Sequence, residues 1–339
     1  MSIQGVISLA LDVIGFGSLN LDEFWEVSGE FLRHFELQTG HEYVRDSDWF
    51  RQVYPKLKSE GILQAMDPGG SAANAIAALR RMGFLTGFFG TTGTDTFENM
   101  RLNELGEPKY LRVDTLDSPG GRCLCLLNSE DLHRDRCLVI LPNANDFAGA
   151  NGFDSEYFGG SKWVHMTSFS SKSPLNVQKK LVAQLPGTTR LSFDPGAIYS
   201  RLGIDELLPI LKRSNVLFAT EEELLSLTRR DNKTSAIQVL FEIGVEIIVL
   251  KLGIKGIEGL TKSFRALKPA IKPSAVVDRT GAGDVAAAGF LAGLLNYLTI
   301  EESLELATAA ASRSIEGYGR SAYPDNLFLT HFLKNVSDT

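Results

Sequence analysis

From about residue 160 the chain settles into a regular alternation. Strand-like runs at 162–166, 190–194, 215–218 and 246–250 are interleaved with helically spaced segments at 174–184, 203–212, 221–229 and 234–243. Short apolar runs without strict polar alternation are strands buried on both faces. The helices between them return the chain across the sheet. The pattern therefore predicts a mostly parallel sheet covered on both sides, a three-layer α/β/α arrangement. Two further strands near 256–260 and 264–268 and helices over 283–297 and 301–315 follow, ending in a tail.

The first half is less regular. Residues 12–17 read as a short buried strand ending in glycine. Residues 23–67 carry aromatics among many charges, and 47–60 has helical spacing through Trp49, Phe50, Val53 and Leu57. A linker lacks such aromatics, so this stretch reads as a folded attachment. An alanine-rich helix over 71–82 is closed by Gly83, as a C-terminal glycine closes a helix. A strand over 84–90 and a helix over 95–105 come next. Strands at 110–115, 122–127 and 136–141 follow, with turns at Gly120-Gly121 and along the polar run 128–135.

With 339 residues, the whole chain 1–339 is long enough for one large α/β domain with a small attachment. A net charge of -7 and a pI near 5.4 disfavour nucleic acid as a partner. Three cysteines (Cys123, Cys125 and Cys137) do not make a disulfide framework, and Cys123 and Cys125 would share one strand face as small apolar filler. The five histidines show no ligand spacing. The N-terminus lacks signal-peptide features and no apolar run is long enough to cross a bilayer, so no membrane association and a cytoplasmic location are expected.

The most informative segment is 276–290, Val-Val-Asp-Arg-Thr-Gly-Ala-Gly-Asp-Val-Ala-Ala-Ala-Gly-Phe. Gly281, Ala282 and Gly283 stand at the mouth of an apolar helix. Its free N–H groups and positive dipole end suit an anion, and the glycines let backbone approach it. Asp284 falls in the first turn. Its carboxylate can accept the proton of a hydroxyl attacking a phosphoryl group, or it can simply stabilise the helix dipole. The segment alone leaves both readings open.

In context, Val-Asp-Arg-Thr-Gly-Ala-Gly-Asp resembles the C-terminal signature of PfkB/ribokinase-type carbohydrate kinases, Asp-Thr-x-Gly-Ala-Gly-Asp, with Arg279 in place of a threonine. The resemblance runs from about residue 12 to 325. Gly69-Gly70-Ser71-Ala72-Ala73-Asn74 matches the family's early Gly-Gly with a following asparagine, and Gly17-Ser18-Leu19-Asn20-Leu21-Asp22 its opening strand. It implies a ribokinase-like fold with a small β lid built from about 19–68 and 108–140. It further implies transfer of the γ-phosphate of ATP to a hydroxyl of a sugar or sugar derivative. Asp284 would be the general base and Gly281 to Gly283 the anion hole, with Asn20, Asp22, Gly69, Gly70 and Asn74 on the substrate.

Around the nucleotide, the resemblance places Thr220 and Glu223, from Ala-Thr-Glu-Glu-Glu-Leu, where relatives carry Asn-x-x-Glu. Glu223 would organise Mg²⁺ through water. Lys251, Gly253 and Gly256 match a Leu-Gly-x-x-Gly nucleotide turn, and Arg136 stands where some relatives bind phosphate. Asp278 with the backbone of Thr280, Gly317 and Gly319 would hold a monovalent cation such as K⁺.

The long insertion resembles the adenosine kinase branch, and an alternative acceptor is a nucleoside, its base held by Phe169 and aromatics of the insertion. Ser192-Phe193-Asp194-Pro195-Gly196 resembles the sugar-kinase branch instead. A non-catalytic sugar- or nucleoside-binding protein is the reading from another class, and Thr220 and Arg279 are what favour it. Both a monomer and a homodimer are compatible with the resemblance. The lack of Gly-x-x-x-x-Gly-Lys-Ser/Thr argues against a P-loop kinase.

Overall fold

A computed structural model describes residues 10–130 and 136–337. The first residues and part of the polar turn at 128–135 lie outside the described residues. Fourteen strands are described: β1 (Leu11–Phe16), β2 (Asn20–Val27), β3 (Glu42–Val44), β4 (Ile62–Gly69), β5 (Thr86–Gly93), β6 (Leu111–Leu116), β7 (Gly121–Asn128), β8 (Arg136–Leu141), β9 (Ser161–Thr167), β10 (Arg190–Asp194), β11 (Val216–Thr220), β12 (Ile247–Lys251), β13 (Ile257–Leu260) and β14 (Arg265–Lys268). They make a large sheet in the order β14-β13-β12-β11-β10-β9-β1-β5-β6 and a small one in the order β3-β8-β7-β2-β4.

In the large sheet every pairing from β6 to β12 is parallel, and β13 and β14 add an antiparallel edge. Successive side chains point to opposite faces, which builds two cores. Val13, Phe88, Trp163, Phe218 and Val249 meet helices Ser71–Arg81, Ala282–Leu295 and Ile300–Ser314. Their neighbours Ile14, Phe89, Val164, Leu217 and Ile248 meet helices Lys172–Val182, Ile204–Leu211, Glu221–Thr228 and Lys233–Ile243. This is the expected three-layer arrangement. No helix among the described residues is long and apolar enough to cross a membrane.

The insertion contributes β3, β4, most of β2 and the covering helices to the small sheet. Trp25, Val27, Leu124, Leu126, Cys137 and Val139 form its outer face, buried under helices Gly29–His34 and Ser47–Glu60. Asp46 caps the second helix, its side chain accepting from Trp49 N at 2.9 Å. Phe24, Cys123, Cys125, Leu138 and Ile140 form the inner face. The two cysteines do share a face, with sulfurs 4.0 Å apart and unbridged.

Three local expectations need correcting. The stretch expected to begin a lid at 108 does not do so, because β6 pairs in parallel with β5 of the large sheet. Leu111 and Val113 pack on its core, so the small sheet resumes only at Gly121. The helix expected over 95–105 is only Glu98–Leu102. Asp95 accepts from Phe97 N and clamps Arg101 and Gly120, a turn that competes with helix. The tail carries a helix, Asn326–Ser337.

Candidate active site

The C-terminal ends of β1, β9, β10, β11 and β12 face the inner side of the small sheet across a cleft of about 240 Å³. Open parallel sheets present their ligands at this edge, because loops there are free to diverge and helix N-termini point inward. Ser18, Thr167, Ser168, Asp194, Glu223 and Lys251 come from the large sheet, while Asn20, Asp22, Cys123, Leu138, Ile140 and Glu42 come from the small one.

Two helix N-termini meet in the cleft. Gly70 opens helix Ser71–Arg81 at φ +100, and a Cβ there would sit 2.1 Å from the Ser18 carbonyl. Only glycine tolerates both conditions. Gly281 opens helix Ala282–Leu295 at φ +75, against Tyr323 Oη and the Asn74 amide. The two motifs join directly: Asn74 Nδ2 donates to Asp284 Oδ2 at 2.9 Å, across 210 positions of sequence.

The carboxyl of Asp284 is pushed up to about 7, first by burial and then by Asp194, against hydrogen bonds from Asn74 and Ser71 and the charge of Lys251. Lys251 lies over the glycine turn, its Cδ 3.3 Å from where a Gly283 Cβ would stand. Its ammonium donates to Asp194 Oδ2 at 2.6 Å and stands 3.9 Å from Glu223. Asp194 and Glu223 outweigh its burial and hold it charged. The Ala282 N–H turns back to the Arg279 carbonyl at 3.3 Å; a helix N-terminus beside a fixed ammonium has the chemistry to receive a phosphate.

On the small-sheet side, Asn145 locks Asn20: its Nδ2 donates to Asn20 Oδ1 at 2.9 Å, and its Oδ1 accepts from Leu19 N at 2.8 Å. Asp22 Oδ1 is buried without a partner. Burial pushes its carboxyl up to about 7; Arg320 opposes this, while Asp278, Asp284 and Asp67 add to it. Gly69 lets this carboxylate fit, since a Cβ there would lie 2.0 Å from Oδ1. An orphaned acceptor beside the cleft is ready for a ligand hydroxyl.

Several predicted residues lie elsewhere. Phe169 is 1% exposed and packs edge-on against Phe16 in the core, so it offers no slot to the cleft. The insertion aromatics Trp25, Phe31, Phe35, Trp49 and Phe50 fill the far side of the small sheet. Arg136 gives its guanidinium to Asp278, 2.6 Å away. Thr220 and Glu223 form a reciprocal capping box, Thr220 N donating to Glu223 Oε2 at 2.7 Å, although Glu223 still lines the cleft. Gly253 and Gly256 lie in the tight turn beyond β12, where a Cβ on Gly256 would meet the Lys268 carbonyl. Thr280 reaches the cleft, whereas Gly319 faces Asp278 and Asp67 and Gly317 faces Ser321.

Other residues at the site were not predicted. Arg320, 2% exposed, donates from Nε to Asn74 Oδ1 at 3.3 Å and so stands behind the Asn74–Asp284 pair. Asp194 anchors Lys251, and its place at the end of a parallel strand was the available signal. Asn145 and Glu42 sit in stretches with no local pattern.

Residues 41–326 match the pfkB family of carbohydrate kinases. An uncharacterised sugar kinase of Archaeoglobus fulgidus is 31% identical over 71% of this chain and 95% of its own length. An ATP-dependent ribose-1-phosphate kinase of Halopiger xanaduensis is 28% identical over 81% of this chain and 89% of its own. Among solved structures, adenosine kinase from Sinorhizobium meliloti superposes with a TM-score of 0.83 at 19% identity, covering 96% of this chain and 99% of that one.

Proposed function

The chain belongs to the pfkB family of carbohydrate kinases, and from that premise we propose that it moves the γ-phosphate of ATP onto a hydroxyl of a sugar or sugar derivative. Asp284 takes the hydroxyl proton as the acceptor oxygen bonds to phosphorus and the bond to the departing ADP oxygen breaks. The N–H groups at Gly281 and Gly283, with Lys251, carry the charge on the transferred oxygens, and that of Ala282 joins them on leaving the Arg279 carbonyl. The observation that carries the reading is the Asn74–Asp284 hydrogen bond. It sets a carboxylate between a phosphate-binding helix end and the acceptor residues Asn20 and Asp22.

Carboxylates, amides, hydroxyls and the aliphatic side chains of Leu138 and Ile140 wall the acceptor side. That chemistry suits a polyol through charge-assisted hydrogen bonds. A nucleoside base calls for an aromatic slot; Phe169 and the outer-face insertion aromatics face away, and Phe24, on the inner face, is 1% exposed against Tyr318 and does not line the cleft. The small sheet, residues 20–69 and 121–141, acts as the lid that excludes water from the transfer.

Mg²⁺ fits as the ion carried by the ATP phosphates. Glu223 brings a single carboxylate to the cleft, and Mg²⁺ commonly takes one or two carboxylates with phosphates and water completing its shell. Bound there, it would neutralise phosphate charge.

The test is ADP release with Mg-ATP against hexoses, pentoses, ribose 1-phosphate, keto-deoxy acids and nucleosides. Turnover with a sugar or sugar phosphate is expected. Turnover confined to nucleosides would overturn the acceptor assignment, and none with any acceptor would favour a binding protein.

A further inference from the structure

Asp278 precedes the glycines Gly281 and Gly283 and is the carboxylate to which the family resemblance assigns a monovalent cation. Its surroundings do not fit such an ion. Oδ1 already accepts three hydrogen bonds, from Thr280 N at 2.9 Å, Thr280 Oγ1 at 2.7 Å and Arg136 Nη1 at 2.6 Å. Oδ2 accepts from Gly319 N at 3.4 Å. A cation site is a ring of oxygens. Here the carboxylate faces donors, and one of them bears a permanent positive charge.

Gly319 contributes to this arrangement through its backbone. It turns at φ +50 and presents its N–H to Asp278, while its Cα packs so closely on Asp67 that a Cβ would overlap that carboxylate. The Asp278 side chain is 4% exposed and that of Arg136 20%. The pair is therefore largely withdrawn from water, where a charge already in place strongly repels a second of the same sign.

We infer that Arg136 is the built-in counter-cation of the anion-hole loop and makes the enzyme independent of added monovalent cations. Arg136 begins β8 on the small sheet, on the same face as Leu138 and Ile140. Asp278 belongs to the loop that leads into helix Ala282–Leu295. The ion pair thus fastens the anion hole to the small sheet. Arg136 is a positioning residue: it fixes Asp278, which fixes Thr280 and the turn into the glycines.

The inference deepens the kinase reading and rests on it only for turnover. The test compares melting temperature, without substrates, and turnover in KCl, NaCl and tetramethylammonium chloride at equal ionic strength. The unaltered protein is expected to melt and turn over alike in all three. Arg136→Ala is expected to melt lower and lose at least about tenfold in kcat. KCl, but not tetramethylammonium, should then restore part of both with a saturable dose. Arg136→Lys should stay indifferent to the salt.

Activation or stabilisation of the unaltered protein by KCl over tetramethylammonium would overturn the inference. So would an Arg136→Ala protein that K⁺ leaves unchanged. If Arg136→Ala does not fold, the unaltered protein and Arg136→Lys decide. Failure of turnover in every salt sinks the kinase reading, while the melting comparison still tests the charge assignment.

Discussion

Asp284 and Asp22 are both held near neutrality, chiefly because burial penalises their charged forms, and their carboxyls titrate at about 7. A base must be ionised to accept a proton. The log of kcat/KM is therefore expected to fall as pH drops below about 7, with a slope between one and two because Asp22 titrates in the same range, and to level above it; a pH–rate profile on the acceptor checks this. For stability the sign reverses. A carboxyl raised in the folded state binds its proton more tightly there than in the unfolded chain. Its contribution is full below the unfolded value near 4 and is lost as pH rises through 7. Asp22→Asn should accordingly melt at higher temperature than the parent at pH 8 while losing acceptor affinity. Arg320 works in the opposite direction, as the buried positive charge beside Asp22 and Asp67. Arg320→Met should cost about 3–5 kcal/mol in urea unfolding, because it leaves those carboxylates uncompensated. At this scale the sequence was legible wherever chemistry is local: Gly281 to Asp284 and Gly69 to Asn74 are contiguous motifs. Arg320 and Asn145 act across more than a hundred residues of chain, through contacts that no local spacing encodes.

At the scale of elements, the parallel half was legible because strands buried on both faces and their return helices give long, repeated signals. The small sheet was not. In β2, seven of eight residues are buried, charged ones included, so polar alternation is lost. Glu23 is wholly buried on the outer face, where it pairs with Arg122 and accepts from Trp25 Nε1 at 2.9 Å and Tyr54 Oη at 3.2 Å. That cluster fastens helix Ser47–Glu60 to the sheet. Leu57 of the same helix is fully buried beneath it, and Leu57→Ala should cost about 2–5 kcal/mol in chemical denaturation. The glycines and alanines of helix Ala282–Leu295 also have a packing reason. A Cβ on Gly289 would stand 2.9 Å from Ala307 Cα, and one on Gly293 2.5 Å from Ser303 Oγ. Gly289→Val should push helix Ile300–Ser314 away, lowering the melting temperature and loosening the anion hole together.

At the scale of the molecule, the cleft lies between the large sheet and the small one, and the proposed reading puts the phosphate on the large-sheet side and the acceptor on the small-sheet side. The small sheet's outer face is already occupied by helices of the same chain. Of the insertion's aromatics, attractive in the sequence as a base-binding slot, Trp25, Phe31, Phe35, Trp49 and Phe50 are spent on that packing, and Phe24 is buried on the inner face. Alternation within β2, β7 and β8 decided the outcome: the inner face received Asp22, Cys123, Leu138 and Ile140. Inner and outer cannot be assigned before the strand register is known.

The central claim is that Asp284 removes the acceptor proton within this frame. The direct measurement is single-turnover phosphoryl transfer by Asp284→Asn, with acceptor and ATP affinities determined by calorimetry on the same protein. Transfer is expected to slow by about 10²–10⁴-fold with both affinities little changed. Transfer at the parental rate would contradict the assignment of Asp284 as the base.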